Sequence, residues 1–259
     1  MKTICYSFLF LIAALPISAQ VNRSFSKNNF TPINQPLNSI VAGAILHLDA
    51  GNSGSYIGSG TNWTDISGNG NNMTLPATLA SSFTNTNGGS FLYGQTSTHS
   101  ITNSALTNFG FANNAITIEV WFKKVATGDY QFWFSDNTAN FRFGINSSGN
   151  YFWNMGTRYD RVNSSYTLPT GVWKHIVVTG GIEGSTIVTR FYLDGALLFY
   201  FNEGYSNLRS ISTVLIGCGE GVGNYLLKGN LAVCRVYQKA LIADEVLQNY
   251  NASKSKFGL

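Results

Sequence analysis

The sequence predicts an all-β sandwich of antiparallel sheets, and three observations predict it. Short runs of alternating apolar residues recur from Val41 onward, with turn residues between them. Two such runs meet at Asp194-Gly195, the pair that suits a type I′ hairpin turn. Only one stretch, Ala243–Tyr250, has helical spacing, with Val246 and Tyr250 a turn apart. Period-two alternation buries one face of a strand, and many short strands with almost no helix fit two packed sheets.

The elements follow in order. Lys2 precedes an apolar run, Ile4–Leu15, that is too short to span a bilayer, and Pro16 breaks it. Residues 1–19 read as a secretory signal, cleaved after Ala19, with no Cys placed for a lipid anchor. Residues 20–40 are rich in Asn, Ser and Pro and read as a flexible leader. The domain spans 41–252, and 253–259 form a C-terminal tail. Within the domain, Ile116–Phe122 turns Ile116, Ile118, Val120 and Phe122 to one face. Asp129–Ser135 places Tyr130, Phe132 and Phe134 on one face, with Gln131 and Trp133 on the other. Asn140–Asn146 sets Phe141, Phe143 and Ile145 against an outward Arg142, and Asn150–Gly156 carries Trp153. The parity of that last run is open, because Tyr151 and Phe152 are both aromatic. Trp173–Thr179, Arg190–Phe201, Val214–Cys218 and Asn230–Tyr237 complete the strands.

Between Ile45 and Leu75 lies a loop rich in Gly, Asn, Ser and Thr, where positive φ is cheap. Leu48-Asp49-Ala50-Gly51-Asn52, Gly58-Ser59-Gly60-Thr61, Trp63-Thr64-Asp65 and Ser67-Gly68-Asn69-Gly70-Asn71-Asn72 resemble the opening of the laminin-G-like jelly-roll family, within the concanavalin A-like lectin/glucanase superfamily. Trp173 through Thr179, Tyr192-Leu193-Asp194-Gly195, Ile216-Gly217, Gly229 through Tyr237 and the closing Lys239–Tyr250 follow in the family's order. The resemblance implies a jelly roll of two antiparallel sheets with a short C-terminal helix, and a habit of binding. Relatives often carry Ser where this chain has Ile242, so a side-chain N-cap is missing there.

Charged residues are 11% of the chain and the formal charge of +4 is diluted, so no basic block suggests nucleic acid. No later stretch is apolar and long enough to span a membrane, and the mature chain is expected outside the cell or in a periplasm. Once Cys5 leaves with the signal, Cys218 and Cys234 remain: either a disulfide or two buried thiols on neighbouring strands.

Retaining glycosidases need two carboxylates about 5–5.5 Å apart. The five Glu of this chain, Glu119, Glu183, Glu203, Glu220 and Glu245, form no such pair on a strand. His47, His99 and His175 lie far apart, and His175 reads as a hydrogen-bonded core residue. Catalysis is not expected. Calcium is the one metal to weigh, through Asp49, Asp65 and Asn69; the alternative is that Asp65 and Asn69 cap turns.

Binding is the stronger case. Outward Trp133, Arg142 and Trp153, with Arg158 and Tyr159 at the strand's edge, make an aromatic and polar strip suited to sugar C–H faces and hydroxyls; Trp63 is a separate candidate. The alternative is that these Trp residues serve packing. The expected function is recognition of an extracellular glycan without catalysis. A structural or adhesive surface protein that binds other proteins stands second, and a glycoside hydrolase third. The signal reading predicts a mature N terminus near Gln20, to be read by mass spectrometry of secreted protein; a mature chain retaining Met1 refutes it.

Overall fold

Ile116–Lys124, buried on both faces, lies in the middle of the larger of two main antiparallel sheets, beside which a small two-stranded sheet also forms. The structure is a computed structural model. It describes residues 39–259 apart from 95, 104–113, 137–140, 156–159, 209–210, 212 and 220–223. The signal segment and nearly all of the leader lie outside the described residues.

In chain order the strands are β1 (Ala44–Asp49), β2 (Asn62–Trp63), β3 (Met73–Thr74), β4 (Phe83–Thr84), β5 (Ser90–Gly94), β6 (Ile101–Asn103), β7 (Ile116–Lys124), β8 (Gln131–Asp136), β9 (Phe141–Ile145), β10 (Asn150–Met155), β11 (Arg161–Thr167), β12 (Trp173–Glu183), β13 (Thr186–Leu193), β14 (Ala196–Asn202), β15 (Val214–Ile216) and β16 (Lys228–Tyr237). The first sheet runs β14-β13-β12-β7-β16-β5-β4, with β1 also paired to β16. The second runs β11-β10-β9-β8-β15-β6. Ile118, Val120, Phe122, Phe134, Phe143, Trp153 and Phe191 meet in the core between them. The hairpin β13–β14 turns at Asp194 and Gly195, with φ of 50° and 80°, as a type I′ turn requires. A side chain on Gly195 would crowd Leu247 and Tyr250, because the turn packs beneath the C-terminal helix.

A short helix, α1 (Ala77–Ala80), follows β3, and the C-terminal helix, α2 (Ala243–Ser253), crosses the outer face of the first sheet. Its N terminus lacks a side-chain cap at Ile242, whose own N–H donates to Glu245 Oε2 at 3.1 Å. Residues 253–259 do not trail away as a tail. Lys254–Phe257 forms a 3-10 turn, and Phe257 stacks on Trp121 with ring centroids 4.1 Å apart. The segment stays docked because the outer face presents Trp121 and Trp173, which water would otherwise wet.

Under α2 a polar row crosses β1, β16, β7 and β12. Arg235 and Glu119 are register partners and form a buried ion pair. Arg235 Nε donates to His47 Nε2 at 2.9 Å, Asn249 Nδ2 donates to Glu119 Oε2 at 2.7 Å, and His175 Nε2 lies 3.1 Å from Glu119 Oε1. The reading of His175 as a core residue thus matches its burial against Glu119.

Cys218 and Cys234 are two buried thiols, not a disulfide. They do not lie on neighbouring strands either. Cys234 sits in β16 of the first sheet, and Cys218 follows β15 of the second. Packed sheets lie about 10 Å apart, beyond the roughly 4.4–6.8 Å that a disulfide spans between Cα atoms.

The polar row makes stability depend on acidity. Burial, with the nearby Arg235 cation, lowers the His47 pKa to about 4. Burial pushes the Glu119 carboxyl up, but Arg235, His175 and Asn249 outweigh it and hold its pKa at about 2. Unfolded His47 gains its proton near pH 6.5 and folded His47 only near 4. Between those values the unfolded chain binds more protons, so stability falls as pH drops through this window, by on the order of 3 kcal/mol. Glu119 extends the loss below pH 4.5. Melting at pH 7 and pH 4.5 should show this fall, and it should shrink in His47→Gln; an equal fall in the variant refutes the assignment.

Candidate functional site

Helix α2 covers the middle of the first sheet's outer face, leaving Leu92 and Tyr200 exposed toward its edges, and the outer face of the second sheet carries the strands of the sequence-predicted strip. Strand parity decides what it carries. In β9, Phe141, Phe143 and Ile145 point into the core and Arg142 points out, as expected. In β10 the core takes Tyr151, Trp153 and Met155, which leaves Phe152 and Asn154 outward. Trp153 therefore belongs to the core, where its Nε1–H donates to Glu203 Oε1 at 2.9 Å.

Trp133 is also a core residue, contrary to expectation. The register between β8 and β9 shifts between Phe132 and Phe134, so a bulge turns Trp133 and Phe134 inward together. Phe132 is thereby turned outward. Trp133 packs edge-on to Phe122 and Phe143 at 5.6 and 4.9 Å. Trp63 is likewise buried, edge-on to Phe91 at 4.9 Å, since β2 pairs with β3 and carries it under the Gly-rich loop. Arg158 and Tyr159 lie outside the described residues.

The outward side chains form two adjoining rows. Ser135, Arg142 and Asn154 are register partners across β8, β9 and β10. Arg142 Nη2 reaches Asp160 Oδ1 at 3.3 Å, and Asn154 Nδ2 donates to the same oxygen at 3.2 Å. Beside them run Phe132, Gly144, Phe152 and Val162. Phe132 and Phe152 lie 5.2 Å apart. A Cβ on Gly144 would strike the Gln131 carbonyl and the Phe132 ring, so this position admits no side chain. The Arg142 guanidinium lies over Phe132 and Phe152, 5.9 and 5.7 Å from their centroids. Tyr130 meets Phe152 edge-on at 5.2 Å, and Tyr225 meets Phe132 at 5.4 Å. Asp160, Val162 and Tyr225 are the exposed members, while Phe132 and Phe152 are buried beneath Arg142 and the tyrosines.

The calcium candidates are otherwise engaged. Asp65 accepts from the N–H of His47, Ser67 and Asn71 and from Ser67 Oγ, at 2.8–2.9 Å. Asp49 Oδ2 faces Lys256 Nζ at 2.7 Å, and Asn69 Nδ2 donates to Ser67 Oγ and the Ala44 carbonyl. The contacts among Asp65, Ser67 and Asn69 cap the turn, while Lys256 and the Ala44 carbonyl tie Asp49 and Asn69 to other parts of the fold.

Sequence reasoning missed Phe132, Phe152, Asn154, Asp160 and Tyr225. For β10 a signal existed: Tyr151, Trp153 and Met155 are all large and apolar at spacing two, which assigns Phe152 and Asn154 outward. For Phe132 nothing local marked the bulge. Trp133→Ala should lower stability by about 3–5 kcal/mol, as removal of a core aromatic does, and leave ligand affinity unchanged. Denaturant unfolding measures the first, and an unchanged midpoint would return Trp133 to the surface.

Residues 94–247 match the laminin G sequence model described as belonging to the concanavalin A-like lectin/glucanases superfamily. No curated protein matches the sequence. Among solved structures, the binding domain of Paraclostridial mosquitocidal protein 1 is similar at TM-score 0.58 and 17% identity, covering 81% of this chain and 52% of that one. The botulinum neurotoxin serotype D ligand-binding domain, solved with N-acetylneuraminic acid, is similar at TM-score 0.60 and 16% identity, over 83% of this chain and 52% of that one. This chain thus spans about half the length of those toxin binding domains. Domain 4 of an extracellular GH43 arabinanase from Geobacillus stearothermophilus, solved with arabinotriose, is similar at TM-score 0.56 and 14% identity, over 81% of this chain and 98% of that one.

Proposed function

The chain belongs to the concanavalin A-like lectin/glucanase superfamily, and from that premise we propose that it is an exported recognition module that binds a glycan on the outer face of its second sheet, without catalysis. The observation that carries this reading is the Arg142–Asp160 pair beside the solvent-reaching rings of Tyr130 and Tyr225, which the buried Phe132, Phe152 and Asn154 support from below. Sugars offer hydroxyls to such a polar pair and C–H faces to such tyrosine rings. The similar serotype D neurotoxin domain and arabinanase domain, solved with sugars bound, support it by analogy of fold.

The placement of the glutamates supports a role without hydrolysis. Glu119 is buried against Arg235 beneath α2. Glu203 is buried with Trp153 and Thr189 as donors. Glu183 pairs with Arg190, and Glu245 with Lys239 and the start of α2. Glu220 lies outside the described residues. Each described Glu thus has an identified structural partner.

A glycan-array screen tests the reading. Binding to at least one glycan is expected, and Arg142→Ala should weaken it about tenfold, equal to ~1.4 kcal/mol. Binding to a surface protein with no glycan bound would replace this reading with an adhesive one.

A further inference from the structure

Next to the proposed face, the last strands of the two sheets, β11 and β14, leave a lateral cleft of about 480 Å³. Its floor is aromatic. Trp153, Phe199 and Phe201 line it, and Phe199 and Phe201 are only partly buried. Arg161 lies at its wall, 4.6 Å over the Phe201 ring, with its Nε 3.4 Å from Glu203 Oε2. Glu203 Oε1 accepts from Trp153 Nε1 at 2.9 Å and Thr189 Oγ1 at 2.7 Å. The Glu203 carboxylate thus anchors both the floor and the arginine.

Three properties decide what the cleft takes. Partly open rings offer a surface on which a C–H-rich face replaces water. The hydrogen-bonding groups stand at the wall and rim. The guanidinium of Arg161 is engaged through Nε, leaving its Nη groups to a ligand, and Asn163 uses only its Oδ1, which accepts from the Ser165 N–H at 2.9 Å. Ser164 and Ser165 complete the rim. The third property is charge. Among the described residues around the cleft, each cation has its carboxylate: Arg161 has Glu203, and Arg142 has Asp160 at 3.3 Å. A ligand carboxylate or sulfate would lose its water shell and find no unmatched cation, with Asp160 on the cleft's own lining.

We propose that the β11–β14 cleft is a subsite for one uncharged sugar ring, seated on Phe199 and Phe201 and held by Arg161 and Asn163. This rests on the glycan reading of the adjoining face and adds a second contact area and a ligand class to it. Asp160 joins the two areas, since it pairs with Arg142 on the face and also lines the cleft.

Titration calorimetry of the purified protein tests the proposal, with cellotriose, maltotriose and mannotriose as neutral probes and trigalacturonate as the acidic one. Arg161→Ala alone would strand the buried Glu203, so the Arg161→Ala/Glu203→Gln double variant removes both charges, and Asn163→Ala at the rim serves if the double variant does not fold. The expected result is that a neutral probe binds, that affinity changes less than about twofold between about 20 and 500 mM salt, and that it falls about tenfold or more in a cleft variant that keeps its fold. Binding of trigalacturonate alone, weakened steeply by salt, overturns the uncharged class and leaves the glycan reading standing. Neutral binding that Arg142→Ala weakens but the cleft variants do not overturns the subsite alone. Failure of all four sugars, where the array also finds none, overturns both.

Discussion

The structure depends on burying the outer face of its first sheet. A sandwich sheet usually turns one face to water, and its strands alternate apolar and polar residues. Strand β7 does not have that freedom. Its inner side carries Ile116, Ile118, Val120 and Phe122, and its outer side carries Thr117, Glu119 and Trp121, all buried. Helix α2 and the turn at Lys254–Phe257 provide the cover, with Trp121 stacked on Phe257 and Val177, Tyr192 and Val246 clustered alongside. Placing the Glu119–Arg235 pair there is a poor source of net stability, because desolvation offsets its attraction. Its contribution is specificity. The pair's polar partners meet only when β1, β16, β7 and β12 are in register and Asn249 of α2 is seated, so a slipped strand would leave a buried charge unmatched.

This division of labour leaves the two sheets with different tasks. The buried charges on the first sheet's outer face, Glu119 and Arg235, are spent on holding α2 through Asn249. Charges on the second sheet's outer face stand near solvent, where Arg142 and Asp160 pair over a pair of phenylalanines. Guanidinium groups suit that position, because a planar cation can lie on a ring and still keep hydrogen bonds at its edge. Arg161 repeats the arrangement at the sandwich's side, over Phe201 and against Glu203. Both arginines therefore arrive with their charge matched and their planes fixed by rings. A surface organised in this way offers shape and hydrogen bonds more than net field.

The glycines define how closely these layers approach. Gly144 lets Phe132 and Phe152 meet across β9, and Gly217 and Gly219 leave room for Tyr93 and Phe132, whose rings occupy the space where a Cβ would stand. Burial of Tyr93 and its proximity to Cys234 and Cys218 push its phenol well above the usual range. The two cysteines are thus separated by a region of ring packing, in keeping with their places on opposite sheets.

The sequence by itself determined what local chemistry controls. Alternation marked the runs of β7 and β9, Asp194-Gly195 marked the hairpin turn, and spacing marked α2. It also placed Arg142 outward, because Phe141, Phe143 and Ile145 leave it no other side. Tertiary structure alone decided the rest. One extra residue in β8 reverses parity for everything before it, and that bulge is a matter of pairing with β9 that no window of β8 contains. It moved Trp133 into the core and put Phe132 on the face. Trp63 was closed over by the pairing of β2 with β3, and the last seven residues were held through Phe257 on the rings of Trp121 and Trp173, far back in the chain. Period is a property of a strand, whereas exposure belongs to whatever packs against it; the candidate site was therefore legible in its residue types and only partly in its membership.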